Sequence, residues 1–202
     1  MLRAAETDVS TGQSESKPPR LEAGDHLDQP TFHRLYEAMP SHFRAELIEG
    51  VAIVPSPTHP EHGDIHAVVM GLIWVYRAGT PGVRTYDDTT VLLPPIDEPK
   101  PDAIVVIEPA CGGQTGVEDR YLLGPPELVI EVAASSASYD LHSKYRMYER
   151  LGVGEYVVLV VEDSDVRWFV AERGQFVPVS AGADGIFRSR SFPGLWLDAA
   201  AL

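Results

Sequence analysis

The sequence is poor in cysteine and has no long hydrophobic run. Cys111 is the single cysteine among 202 residues, so no disulfide can form within the chain, which favours a reducing compartment. The longest apolar stretches, 67–76 and 156–161, are too short to cross a membrane as helices. The first residues also lack the apolar segment of a signal peptide. These absences predict a protein of the cytoplasm.

Basic residues are scarce as well. Lysine and arginine number 16 against 30 aspartates and glutamates, which gives a formal net charge of -14. This balance excludes a protein that coats nucleic acid through a broad basic surface. It does not exclude an enzyme that acts on nucleic acid, because metal ions can neutralise a cluster of acids.

The hydrophobic pattern predicts one α/β domain behind an N-terminal tail. Residues 1–29 are polar without an apolar period and are predicted to be a disordered tail, and residues 30–202 are predicted to form a single domain. Apolar runs typical of strands buried on both faces occur at 102–107, 128–132 and 156–161.

The remaining elements complete a mixed central sheet flanked by helices, with extra β-hairpins. Helical spacing of apolar residues predicts helices at 31–39, 62–77 and 140–151. Hairpins are predicted at 45–54 and 166–179. The segment 111–124 contains several glycines and is predicted to be a loop.

Two acidic residues lie at the ends of predicted buried strands. Asp102 opens one strand and Glu131 lies near the end of another. A carboxylate buried without a partner costs several kcal/mol, so each acid needs an arginine, a lysine or a metal ion nearby. If the strands are neighbours, both acids can converge on one cation, and oxygen ligands suit Mg²⁺ or Mn²⁺. Alternatively, Asp102 marks a strand start and Glu131 pairs with an arginine.

The helix predicted after the Glu131 strand carries a candidate partner for that acid. Asp140, Lys144 and Tyr148 share one helical face, and Lys144 can reach back towards Glu131. Lysine occurs only three times in the chain, against 13 arginines. The alternative is an ordinary ion pair between Asp140 and Lys144 on the helix surface.

These motifs, in this order, resemble the Uma-two family of restriction-endonuclease-like proteins, which is widespread in bacteria and belongs to the PD-(D/E)xK nuclease superfamily. The similarity covers about residues 30–180. The matching segments are Glu46–Gly50, Pro101–Asp102, Glu127–Val132, Ser135, the helical face of Asp140, Lys144 and Tyr148, and Gly152–Tyr156.

The resemblance implies a restriction-endonuclease-like fold and a metal-dependent endonuclease that hydrolyses phosphodiester bonds of nucleic acid, most naturally DNA. It implies Mg²⁺ as the cofactor, with Mn²⁺ as a substitute, and a homodimer. Asp102 and Glu131 match the metal-binding acids, and the backbone carbonyl of Val132 would be a further metal ligand.

The resemblance also implies roles for residues outside this pair. Glu46 matches the acid of the upstream signature at the edge of the site, and Lys144 matches a catalytic lysine carried by the following helix. His62 matches a family histidine of undefined role. The superfamily pattern places its lysine two residues after the acid, where this sequence has Ala133.

Two other functions stay open. The acidic balance and Ala133 favour a catalytically inactive nuclease fold that serves as a dimeric protein-interaction module. A hydrolase that acts on RNA or a nucleotide is the second alternative.

Two groups of side chains have more than one interpretation. His59, His62 and His66 form either a transition-metal cluster or, as the missing further ligand favours, a solvated loop and helix start. The aromatic residues Trp168 and Phe169 belong either to a dimer interface or to the core.

Overall fold

The structure, a computed structural model, describes residues 20–134 and 140–201. Within these residues the helices are α1 (Gln29–Glu37), α2 (Pro60–Gly79) and α3 (Tyr145–Leu151), and one π-helical turn, Asp140–Lys144, leads directly into α3. The strands are β1 (Glu46–Ile48), β2 (Val51–Ile53), β3 (Val83–Asp87), β4 (Val91–Leu92), β5 (Ala103–Ile107), β6 (Gly116–Glu118), β7 (Tyr121–Leu123), β8 (Leu128–Ala133), β9 (Glu155–Val160), β10 (Asp165–Glu172), β11 (Gln175–Val179), β12 (Ile186–Arg188) and β13 (Trp196–Asp198).

A six-stranded mixed sheet forms the centre of the fold. Its strand order is β11-β10-β9-β8-β5-β3, in which β8 and β9 are parallel and the other neighbours are antiparallel. Parallel neighbours need a crossover connection, and α3 lies in the segment that joins β8 to β9. The buried runs of β5, β8 and β9 occupy the middle of the sheet, as the sequence predicts.

Both faces of this sheet are covered. On one face, Val69 and Ile73 of α2 pack against alternate residues of β5 and β8, together with Trp168 from β10. On the other face, Met147 and Tyr148 of α3 pack against the intervening residues of the same strands. This arrangement confirms the predicted α/β class, a mixed sheet with helices on both sides.

A smaller layer is built on the β1–β2 hairpin. Gly50 turns this hairpin with a φ of 78°, which a residue without Cβ adopts at little cost. Phe32 of α1 and Leu21 pack on the hairpin, and the N–H of Gly24 donates to the carbonyl of Ala52 over 2.8 Å. Residues 20–29 therefore belong to the packed structure instead of the predicted tail, and residues 1–19 lie outside the described residues.

The prediction of a loop at 111–124 is wrong. β6 and β7 form a hairpin there, and β7 pairs in parallel with β4, so the three strands form a separate small sheet. Strands of two or three residues are too short to show a period of two, and the turn residues Asp119 and Arg120 are not the Asn-Gly type that signals a hairpin. The hairpin of β12 and β13 was also not predicted, because its strands are only three residues long.

The structure shows where Trp168 and Phe169, predicted to lie either in a dimer interface or in the core, are placed. Trp168 is 3% exposed and stacks on Phe187, so it belongs to the core. Phe169 is partly buried and packs edge-on against the ring of Tyr145. The interpretation of Trp168 as an interface residue is therefore wrong.

Candidate active site

The strand register brings the two predicted acids together. β5 and β8 are antiparallel neighbours in which Ala103 is opposite Ile130. The same register, continued by one residue, places Asp102 beside Glu131 at one end of the sheet. Both side chains line the same cavity.

Asp102 is held by contacts from two directions. One carboxylate oxygen, Oδ2, accepts the backbone N–H of Val132 over 2.7 Å. The other, Oδ1, lies 3.4 Å from Nε2 of His62, which α2 presents from its first turns. Burial alone opposes the charged form, but these contacts outweigh it and lower the pKa of the Asp102 carboxyl. Asp102 is therefore an anion at neutral pH.

Lys144 lies in the middle of a buried cluster of carboxylates. Its Nζ lies 3.0 Å from Glu131 Oε1, 3.2 Å from Glu46 Oε2 and 3.6 Å from Asp140 Oδ1. The Lys144 side chain is only 7% exposed, so its ammonium does not point into bulk solvent. The predicted helical face is thus turned inward, towards the end of the sheet.

The π-helical turn and α3 hold this cluster in place. Tyr148, one turn after Lys144, donates its hydroxyl to Glu131 Oε1 over 3.2 Å. Tyr156 of β9 donates its hydroxyl to the backbone carbonyl of Asp140 over 3.0 Å. Glu46 is held at its second oxygen, Oε1, by the backbone N–H of Lys100 over 2.7 Å. Every acid of the cluster is thus placed by a separate element.

Burial and neighbouring charges shift the pKa values of the cluster. Burial raises the pKa of Glu131 well above its ordinary value, and the neighbouring acids add to this effect. Although burial opposes a buried ammonium, Glu131, Glu46 and Asp140 raise the pKa of Lys144 well above its ordinary value. Lys144 is therefore a fixed cation at neutral pH, with three carboxyl groups within 3.6 Å of its ammonium.

Two histidines of α2 face the site. His62 contacts Asp102, and this hydrogen bond raises the pKa of the His62 ring. His66 Nε2 lies 3.0 Å from the carbonyl oxygen of Asp102 and 3.2 Å from Asp87 Oδ1. The two side chains are 15% and 23% exposed, so the interpretation of a solvated helix start is wrong for both. His59, the helix N-cap residue, lines the cavity rim.

A cavity of about 990 Å³ opens over these residues. Acids on its wall, besides Asp102 and Glu131, include Asp87 and Asp88, and Asp88 is ion-paired with Lys100. Among residues 20–134 and 140–201, no group of three or more His, Cys, Asp or Glu side chains is arranged to hold a metal ion. Within the same residues, no helix is long and apolar enough to cross a bilayer.

The mixed sheet is covered by helices, and two acids lie side by side at its end with a lysine against one of them. These features define the restriction-endonuclease-like class of fold. The sequence matches the profile of the Uma2 family, described as "Putative restriction endonuclease", over residues 29–200. This chain belongs to the Uma2 family, a nuclease-like family, as its motifs predicted.

A solved structure supports the fold. The chain is similar to a crystal structure from Anabaena variabilis ATCC 29413 titled "a putative nuclease belonging to DUF820". The TM-score is 0.68 at 15% sequence identity, and the match covers 83% of this chain and 94% of that chain. At this identity the likeness shows the fold alone. No curated protein matches the chain.

The donors at the site fit a hard divalent cation. Families of this kind generally use a divalent metal. Asp102 and Glu131 offer carboxylate oxygens, and the carbonyl of Val132 points to the same side of β8 as the N–H that binds Asp102, because both groups of one strand residue face the same neighbour. Oxygen donors of this kind are what Mg²⁺ and Mn²⁺ prefer.

Sequence reasoning missed several contacts of the site. It gave His62 no role, and it did not connect His66 with the site or foresee that Tyr148 donates to Glu131. The spacing of Asp140, Lys144 and Tyr148 on one helical face was the available signal for the last contact. The contacts of His62 and His66 depend on how α2 docks on the sheet, which local spacing does not encode.

Proposed function

We propose that this chain is a Mg²⁺-dependent endonuclease that hydrolyses phosphodiester bonds of DNA, with Mn²⁺ as a substitute. The observation that supports it most is the adjacent pair Asp102 and Glu131 on the wall of a large cavity, with the buried ammonium of Lys144 3.0 Å from Glu131. Asp102, Glu131 and the carbonyl of Val132 would hold the ion. The chemistry that a bound Mg²⁺ supplies is neutralisation of phosphate charge and a lower pKa for bound water.

Three side chains would position and balance the charge of Glu131 and its surroundings. Lys144 is a fixed cation that offsets negative charge beside Glu131 and orients that carboxylate. Tyr148, one turn after Lys144 on the same helical face, donates to the same oxygen, and Glu46 anchors the ammonium. Because the pKa of Lys144 is raised, this lysine acts through its charge and does not accept the proton of the attacking water.

The rim of the cavity offers a cation, Arg44, to a phosphate backbone. Arg44 lies on this rim, and its guanidinium donates to the backbone carbonyls of Ser41 and Phe43. Within the described part of the chain, no carboxylate forms an ion pair with it. His42 and His59 line the same rim. A charge of this kind can contact a phosphate without first breaking an ion pair.

The proposed function also includes the domain organisation, the assembly and the location of the protein. Residues 20–202 would act as a single nuclease-like domain, and two copies would form a homodimer that addresses both strands of a duplex. The single cysteine, Cys111, is compatible with a cytoplasmic location.

Cleavage of supercoiled plasmid DNA tests this function. With Mg²⁺ or Mn²⁺, the wild-type chain is expected to convert the plasmid to nicked or linear forms, and chelation is expected to stop the reaction. Asp102→Asn removes a carboxylate charge at the site and should reduce the rate at least a hundredfold, which corresponds to about 2.7 kcal/mol of transition-state stabilisation.

A matched control separates the site from a general effect of charge. Glu108→Gln also removes a carboxylate, one that is ion-paired with Arg84. Glu108 lies outside the cavity wall, so the Glu108→Gln variant should cleave the plasmid at the same rate as the wild type. Cleavage of RNA alone would redirect the proposal to another substrate. Absence of cleavage of any nucleic acid with either metal would favour the inactive interaction module.

A further inference from the structure

The outward face of α2 is unusually apolar for a surface helix. Val75, Trp74 and Val68 are 71%, 60% and 47% exposed. They are three of the seven large apolar side chains that the described residues leave exposed. Exposed apolar groups that cluster on one element mark an interaction surface more often than scattered ones do.

The shape of this face suits another helix. At 100° per residue, Ala67, Gly71 and Ala78 lie along its centre line, with Trp74 and Val75 on either side. A Cβ placed on Gly71 would meet no atom within 4 Å, so nothing in the described chain fills the groove at this point. The small residues form a groove, and the larger ones form its walls.

The charges at the two ends of the face are opposite. Glu61 and Asp64 are exposed at the N-terminal end. At the C-terminal end, the guanidinium of Arg77 lies over the ring of Trp74, 5.2 Å from its centroid. Two copies of this face attract each other at both ends when they pack antiparallel and repel each other when they pack parallel.

We propose that α2 is the homodimer interface and that two copies of it pack antiparallel about a twofold axis near Gly71. In this register, Trp74 of the partner subunit lies against Ala67, and Val75 of the partner subunit lies against Val68. Large side chains thus face small ones on one flank, and two valines meet on the other. Such self-complementarity is what an isologous interface requires.

This proposal locates the interface of the homodimer included in the proposed function, and it does not depend on hydrolysis. The same helix carries His62 and His66 on its opposite side, against Asp102 and Asp87. The dimer would therefore fix the helix that contacts the candidate active site. Molecular mass tests the dimer and plasmid cleavage tests the enzyme, so failure of one is distinguishable from failure of the other.

Sedimentation velocity of the full-length chain, from about 1 to 100 µM, gives the first test. The wild type is expected to show a reversible dimer with a micromolar dissociation constant, because one helix face is a small interface. Gly71→Glu places two carboxylates against each other on the axis, and Val75→Glu buries a charge where two valines meet on one flank of the contact. Each should weaken the dimer at least roughly tenfold.

Two features of these variants keep the result interpretable. Gly71→Glu meets free space and replaces glycine in a helix, so the protomer should not lose stability. Val117→Glu is the matched control, because Val117 of β6 is 67% exposed but lies outside this face. A wild type that stays monomeric over the whole range overturns the proposal. A dimer unaffected by both α2 variants, or weakened equally by Val117→Glu, does so as well.

A cross-link tests the position of the axis. In a chain with Cys111→Ser, Gly71→Cys places two thiols at the closest approach of the helices, and a mild oxidant should join them as a disulfide-linked dimer. Val117→Cys in the same chain should stay monomeric on a non-reducing gel. Equal cross-linking of the two variants would overturn the placement of the axis at Gly71.

Discussion

At the scale of single residues, Lys144 is the cation at the centre of the buried acid cluster. It is a buried cation within 3.6 Å of three carboxylates that come from β1, β8 and the π-helical turn. Removal of one partner from a buried ion cluster leaves the others uncompensated, which costs far more than loss of a surface pair. The site therefore depends on this lysine for its structure as well as for its charge.

Lys144→Met tests this role. The substitution keeps an unbranched side chain of similar length but leaves Glu131, Glu46 and Asp140 without their cation. We expect the free energy of unfolding to fall by about 3–5 kcal/mol in urea titrations without divalent metal. Added Mg²⁺ should restore part of this loss, because a divalent ion can offset the same carboxylates.

Tyr148→Phe is the control for that measurement. It removes one hydrogen bond to Glu131 and keeps the buried ring, so the expected loss is about 0.5–1.5 kcal/mol. A Lys144→Met variant that loses no more than Tyr148→Phe would contradict the assigned role of the lysine.

At the scale of elements, buried acids join segments that are far apart in the sequence. Glu98, between β4 and β5, accepts a hydrogen bond from Gln29 Nε2 of α1 over 2.8 Å, and its other oxygen lies 2.9 Å from His33 Nδ1. Glu155 of β9 accepts from Trp168 Nε1 over 2.7 Å and from the Ser189 hydroxyl over 2.8 Å. These acids attach α1 and the chain after β12 to the rest of the fold.

The Glu98 contact predicts a pH dependence of stability. Burial raises the pKa of Glu98 above its ordinary value of 4.5. Between pH 4.5 and the raised pKa, the native chain keeps a proton that the unfolded chain releases. Stability therefore falls as the pH rises through this window, relative to a variant that cannot titrate.

Urea titrations of the wild type and Glu98→Gln from pH 4 upward measure this difference. The free energy of unfolding of the wild type, relative to that of the variant, should be highest at pH 4. This difference should decrease as the pH rises through the raised pKa of Glu98. A difference that stays constant, or that changes in the opposite direction, would contradict the assigned burial effect.

The same elements show how far the sequence predicts this fold. Short, largely apolar runs predicted β5, β8 and β9, and Gly50 predicted the first hairpin, because each signal is local. The acids Glu98 and Glu155 gave no such signal, since their partners lie up to 69 residues away in the chain. Asp102 and Glu131 were found because their positions at strand ends were unusual, but their contact required the register of β5 on β8.

At the scale of the whole molecule, the net charge of -14 and a DNA substrate are compatible only if charge is distributed unevenly. Much of the acidic excess near the site is paired inward, on Lys144, His62 and the backbone, whereas Arg44 lies on the cavity rim without an acidic partner in the described chain. The antiparallel α2 dimer would carry two such cavities. Substrate binding would then depend on the rim and the bound metal, and not on the overall charge.

The central claim is that Asp102 and Glu131 hold one divalent ion beside Lys144. Diffraction from crystals soaked in Mn²⁺, recorded at the manganese absorption edge, tests it most directly. The account predicts an anomalous peak bonded to carboxylate oxygens of both acids in the wild type and no such peak in Asp102→Ala. A peak that persists in Asp102→Ala, or a manganese ion bound only at other residues, would contradict it.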